Sequence, residues 1–174
     1  GDASGYTEEN TIKSIDLAAS IGVELFIMDA GWWDNQGDWW YSPTRFPHGL
    51  ARIVEYCHKK GMLFGLYGEI EKASEGSKVA KEHPDWVVWH KPYPILNLAK
   101  PEVAKWMESQ LREIIDNYKI DLWRLDFNTP TTSAFEGATN ELGDVQENNF
   151  WRYYDSFYAI YDRIHAKYPD LILQ

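Results

Sequence analysis

The chain has 174 residues, about one domain's worth, and 44% of them are hydrophobic, enough to bury a sizeable core. Its 27 acidic residues outweigh 17 basic ones for a net charge of −10, with no basic cluster, which speaks against nucleic acid and anionic membranes as partners. No stretch is apolar for long enough to span a bilayer, and the opening GDASGYTEEN lacks the charged start and apolar middle of a signal peptide. The first residue is not Met, so a processed chain or an excised piece is expected. The single Cys57 excludes an internal disulfide framework and falls on the apolar side of a helical pattern, as a buried thiol does. Nine Trp, eleven Tyr and seven Phe suit either a carbohydrate site, where sugar rings lie on aromatic faces, or a large core.

In chain order, Thr7 followed by Glu8 and Glu9 predicts a helix start, with Ile12, Ile15, Ala18 and Ala19 on one side and Gly22 at its end. A strand is predicted from Val23 to Met28, ending on Asp29. Residues 30–49 lack periodicity and hold Trp32, Trp33, Trp39 and Trp40; such a long connection at a strand's carboxyl end is either a substrate platform or a loop packed on itself. Leu50, Ile53, Val54 and Cys57 mark the next helix, closed by Lys59, Lys60 and Gly61. Strand Leu63 to Tyr67 then leads to Glu69 and Glu71.

Residues 72–81 predict a loop with a short helix, and the prolines of HPDWVVWHKP, 83–92, forbid a long one. His83 and His90 in that stretch are read as surface or capping groups, since no companion ligand stands at metal-site spacing. A short strand is expected over PILNL, 94–98. Pro101 opens a helix with Val103, Trp106, Met107, Leu111, Ile114, Ile115 and Tyr118 on one side and a Glu108–Arg112 pair on the other. After the next strand come a Thr-, Gly- and Asn-rich loop, 129–144, a helix carrying Trp151, Tyr154, Phe157, Tyr158, Tyr161, Ile164 and Tyr168, and a last strand beginning at LILQ.

The chemistry is expected at WRLDFN, 123–128. The hydrophobic run Ile120 to Leu125 is interrupted at alternate positions by Arg124, Asp126 and Asn128, and a strand's period of two puts these on one face. Arg124 favours the ionised form of a neighbouring acid. An ionised carboxylate at the exit of a buried strand suits a nucleophile or a metal ligand, while a structural ion pair is the bland alternative. Two other strands also deliver acids at their carboxyl ends, Asp29 and Glu69 with Glu71. Alternating strands and helices imply an α/β fold with a parallel sheet and its functional groups along one edge. Five such strands cannot close an eight-stranded barrel, which takes about 250 residues.

The ordered set MDAGWW (28–33), FPHGL (46–50), HKKGMLFGLYGEIE (58–71), HPDW (83–86), LNLAKPEV (96–103) and WRLDFN (123–128) resembles glycoside hydrolase family 36, the melibiase-like α-galactosidases. The resemblance runs from Tyr6 to Gln174. It implies a (β/α)8 TIM-type barrel, present here in part and truncated at both ends, and a retaining α-glycosidase working through a covalent glycosyl-enzyme without a cofactor. Asp126 matches the family's nucleophile, in an Arg-Leu-Asp-Phe-Asn setting where Lys-Trp-Asp-x-Asn is common. Arg124 and Asn128 would then meet the sugar, Asp29 would grip ring hydroxyls and Trp32 would match the family's tryptophan. Tyr67 stands where a sugar-facing Trp is usual, and Lys91 falls about where an Arg often precedes the LNL strand.

Two departures stand out. The second acid of the family's Asp-Asp pair is Ala30 here, which opens galactose specificity to related sugars such as N-acetylgalactosamine or a pentopyranose. The family's acid/base Asp lies on a later strand, beyond Gln174, so the 174 residues are expected to be inactive alone. The partner the resemblance implies is a carbohydrate substrate, and a homo-oligomer of the longer protein is compatible with the sequence. Two other classes stay open at this point. One is a carbohydrate-binding pseudo-enzyme. The other is a metal-dependent barrel hydrolase with Asp29, Glu69, Glu71 and Asp126 as oxygen ligands.

Overall fold

The computed structural model describes residues 5–89, 94–126 and 146–174. Helix α1 (Glu8–Ser20) starts where Thr7 Oγ1 accepts the Asn10 N–H at 3.2 Å and places Ile15 in the core. Strand β1 (Leu25–Met28) follows, then the aromatic connection, then α2 (Leu50–Lys59), which buries Leu50, Ile53, Val54 and Cys57 as their spacing predicts. Strand β2 (Leu63–Tyr67) is buried along most of its length.

Helix α3 (Lys78–Glu82) is capped twice: Ser77 accepts from Ala80 N, and Asp38 of the aromatic connection accepts from Lys78 N at 2.8 Å. A 3₁₀ turn at Pro84–Trp86 holds His83 stacked on Trp86, ring centroids 3.8 Å apart. Helix α4 (Pro101–Tyr118) ends on Lys119 in the left-handed region, φ 56°, and carries Glu108, which Arg112 meets at 3.0 Å and Arg163 at 2.7 Å. Strand β5 (Leu122–Arg124), helix α5 (Gln146–Lys167) and strand β6 (Ile172–Leu173) complete the chain.

The main sheet is parallel, in the order β1-β2-β5-β6. Leu25 pairs with Leu63, Gly65 with Leu122, and Leu122 with Ile172. The expected strand over 94–98 is absent from this sheet. Its Ile95–Leu96 (β4) instead pairs antiparallel with Val87–Val88 (β3), while Leu96 N–H donates to Glu71 O at 2.7 Å. The physical reason is that β2 has β5 as its neighbour on that side, so the 94–98 segment lies over the exit of β2 and extends the polar end of the sheet. Parallel strands need crossovers, and here 68–121 forms a single crossover between β2 and β5.

Close approach of β2 and β5 depends on Gly68. A Cβ there would stand 2.3 Å from the Trp123 ring, so only hydrogen lets the two strands continue their ladder, with Gly68 N–H on Arg124 O at 3.0 Å. Trp123 is fully buried and donates its indole N–H to the Tyr161 hydroxyl of α5 at 3.2 Å. Helices α4 and α5 pack Met107, Leu111, Phe157, Ile160 and Ile164 into one continuous core with the sheet.

Candidate active site

The polar edge of the sheet is assembled from strand ends. Asp29 follows β1, and its Oδ1 accepts the N–H of Ala30 at 2.6 Å. Arg124 closes β5 in register with Tyr67 of β2, and its guanidinium extends over β2 to Asp29, Nη1 to Oδ2 3.9 Å. The pair is loose and open to solvent, with side chains 40% and 54% exposed, so both groups keep hydrogen-bonding capacity for a ligand. Two residues on, Asp126 is exposed at the same edge, behind Leu125, whose N–H donates to Gln174 O at 2.8 Å. Asp29 and Arg124 thus meet, with Asp126 two residues beyond Arg124, where a parallel α/β sheet carries its chemistry.

Tyr6 joins this group without having been legible in the sequence. Burial, and then the charge of Asp29, hold its phenol above the usual tyrosine range, and its ring lies against Gly31, where a Cβ would come within 2.9 Å. No periodicity or motif links it to Asp29.

Two residues expected to meet a sugar are buried. Trp32 has no exposed surface; its N–H donates to Tyr67 O at 2.8 Å and its ring meets Trp33 edge-on at 5.1 Å. Tyr67 is 5% exposed, stacks on Trp33 at 5.9 Å and donates its hydroxyl to Glu69. The aromatic connection packs on itself: Trp32, Trp33 and Trp39 are buried, and Trp40 alone of its four tryptophans is exposed. Large flat rings gain most by leaving water together, and three of them find partners within the loop. Lys91, Asn128 and His90 lie outside the described residues.

At the exit of β2 lies a buried ionic cluster. Glu69, Glu71 and Lys72 are 2%, 0% and 5% exposed, and Lys72 pairs with Glu69. Burial pushes the Glu71 carboxyl up to about 8, with the negative Glu69 beside it acting in the same direction. Among the described residues no three His, Cys, Asp or Glu side chains are grouped as metal ligands would be. Glu69 is paired with Lys72 and Asp29 with Arg124. A separate cleft of about 430 Å³, lined by Trp39, Trp40, Trp106, Gln110 and Glu113, shares no lining residue with this edge.

The melibiase family model matches residues 3–174. The chain belongs to the melibiase family. Among relatives, α-galactosidase Mel36A of Lactobacillus acidophilus is 31% identical over 97% of this chain and 25% of its own length. The bifunctional α-galactosidase/sucrose kinase AgaSK of Mediterraneibacter gnavus is 28% identical over 97% of the chain and 19% of its own. This chain spans about a quarter of the length of the curated relatives it matches.

Solved structures agree on the fold. The family 36 α-galactosidases AgaA and AgaB of Geobacillus stearothermophilus superpose with TM-scores of 0.82 and 0.85 at 21% and 23% identity, over 97% and 98% of this chain and 25% and 26% of theirs. Variants of AgaA have been solved with raffinose and with stachyose. The chain is a part of such an α/β barrel, with β1, β2, β5 and β6 as its parallel strands.

Proposed function

We propose that this chain is the nucleophile-bearing part of a retaining α-galactosidase, acting on terminal α-linked galactose or a closely related sugar. The observation that supports the reading is the convergence of Asp29 and Arg124 at 3.9 Å, across β2, with Asp126 exposed two residues beyond Arg124. Asp126 is the attacking group. One carboxylate oxygen bonds to the anomeric carbon as the bond from that carbon to the leaving oxygen breaks, and a second carboxyl group gives the leaving oxygen its proton. Water then cleaves the glycosyl ester and returns a proton to that second group, with net retention. Retaining enzymes hold the two carboxyls about 5 Å apart.

Asp29, Glu69 and Glu71 are not assigned as the proton donor. The first is opposed by Arg124, and the other two are buried in the cluster with Lys72. The family resemblance puts the donor on a later strand, and on that reading the 174 residues alone do not turn over. Arg124 and Asp29 bind ring hydroxyls as charged donor and acceptor. Ala30 brings no polar side chain, and its N–H is already engaged by Asp29, so this position is indifferent to the hydroxyl an acid would grip.

The test is Asp126→Asn in the full-length protein with an aryl α-galactoside. A loss of at least about a thousandfold in kcat is expected for a missing nucleophile. Turnover equal to the wild type would remove the assignment.

A further inference from the structure

Three ionisable side chains of one short segment, Glu69, Glu71 and Lys72, are almost wholly withdrawn from water at the exit of β2. Lys72 supplies one positive charge and meets Glu69. The Tyr67 hydroxyl donates to the same Glu69 carboxylate. Glu71 has no exposed surface, and neither of its oxygens meets a hydrogen-bond partner among the described residues. Among the described residues its ionisable neighbours are Glu69 and Lys72 on its own segment and the phenols of Tyr153 and Tyr161 on α5, both of which Glu71 influences. The β4 segment over it contributes apolar Ile95 and Leu96, the latter through its backbone.

The Lys72 ammonium meets Glu69, whereas no ion pair reaches Glu71 among the described residues. A second carboxylate buried here would be an uncompensated charge, which a protein interior does not tolerate when a proton can neutralise it. We propose that Glu71 is a positioning residue of the strand-end site: as a neutral carboxyl beside Glu69, it leaves that carboxylate to Tyr67 and Lys72 and so fixes the β2 edge beside Arg124. The raised Glu71 affinity for protons agrees with this, burial being the larger cause and Glu69 the smaller. The consequence for chemistry runs through backbone. Tyr67 O holds the Trp32 indole, Tyr67 pairs in register with Arg124, and Gly68 N–H bonds Arg124 O. Movement of Glu69 off Tyr67 would therefore reach Arg124 and Asp126 together. This inference rests on the reading of Asp126 as the nucleophile only for its effect on activity.

The experiment uses the full-length protein, wild type and Glu71→Gln, whose amide mimics a neutral carboxyl that cannot ionise. The ratio of kcat/KM for an aryl α-galactoside, variant over wild type, is expected to stay within about threefold of one at pH 6 and to rise by about fivefold or more by pH 9, as only the wild type loses the proton. A ratio cancels every pH limb the two proteins share. A ratio that is flat with pH, or below about a hundredth at pH 6, would overturn the proposal. Difference infrared spectra provide a readout independent of turnover: a protonated-carboxyl carbonyl band at pH 7 in the wild type, lost in Glu71→Gln. Absence of that band from the wild type also overturns it. A wild type with the band but without activity on any α-glycoside would leave Glu71 standing and remove the glycosidase reading instead.

Discussion

Arg124 reaches across strand β2 to bring its guanidinium within 3.9 Å of Asp29, joining the ends of β1 and β5, which are not neighbours in the sheet. Both side chains are substantially exposed, and exposed pairs contribute about 0–1 kcal/mol to folding. The pairing matters for what it presents to a ligand. Arg124→Leu in the full-length protein is expected to lower kcat/KM for an aryl α-galactoside by about 10- to 100-fold, as the loss of one charge-assisted contact would, and to leave the melting temperature within about 2 °C. Parallel kinetics and thermal melts check this; a large fall in melting temperature would make Arg124 a structural residue.

Ala30 removes an acid from the position beside Asp29. Ala30→Asp is expected to raise kcat/KM for α-galactosides by about tenfold relative to an α-linked pentopyranoside, which lacks the hydroxymethyl group such an acid could meet, about 1.4 kcal/mol of discrimination. Paired kinetics with the two aryl glycosides measure the ratio. An unchanged ratio would mean that position 30 does not see the sugar.

Trp32 separates a packing role from a binding one. With no exposed surface and its N–H on Tyr67 O, Trp32→Ala is expected to cost about 3–5 kcal/mol, and Trp32→Phe about 1–3 kcal/mol, with KM for the folded Phe variant unchanged within about twofold. Denaturation and steady-state kinetics on the same preparations decide it, since a raised KM at unchanged stability would restore Trp32 as a sugar contact.

Glu71 also sets a pH dependence of stability. The folded protein keeps its proton up to about 8, whereas a free carboxyl releases it near 4.5, so the unfolded chain ionises first as pH rises. The contribution is fully present below about 4.5 and is lost progressively up to about 8, at up to about 1.4 kcal/mol per pH unit. Glu71→Gln lacks this slope. The stability of the variant minus that of the wild type is therefore expected to grow from pH 5 to pH 8, measured by unfolding at each pH, and a constant difference would show that Glu71 is charged in the folded state throughout.

Local patterns carried much of this protein. The spacing of Leu50, Ile53, Val54 and Cys57 determined which face of α2 is buried, Thr7 with Glu8 and Glu9 determined the start of α1, and the alternation Arg124, Asp126 marked the polar exit of a buried strand. Each depends only on residues within a turn or two of one another, where backbone geometry is the whole cause. The tertiary structure decided the rest. It set β5 beside β2, leaving 94–98 to lie across the strand exits, and it drew Trp32 and Tyr67 inward while bringing Tyr6 up to Asp29. An apolar run or an aromatic ring states that it must leave water but not which surface will cover it. That choice belongs to the packing of segments far apart in the chain.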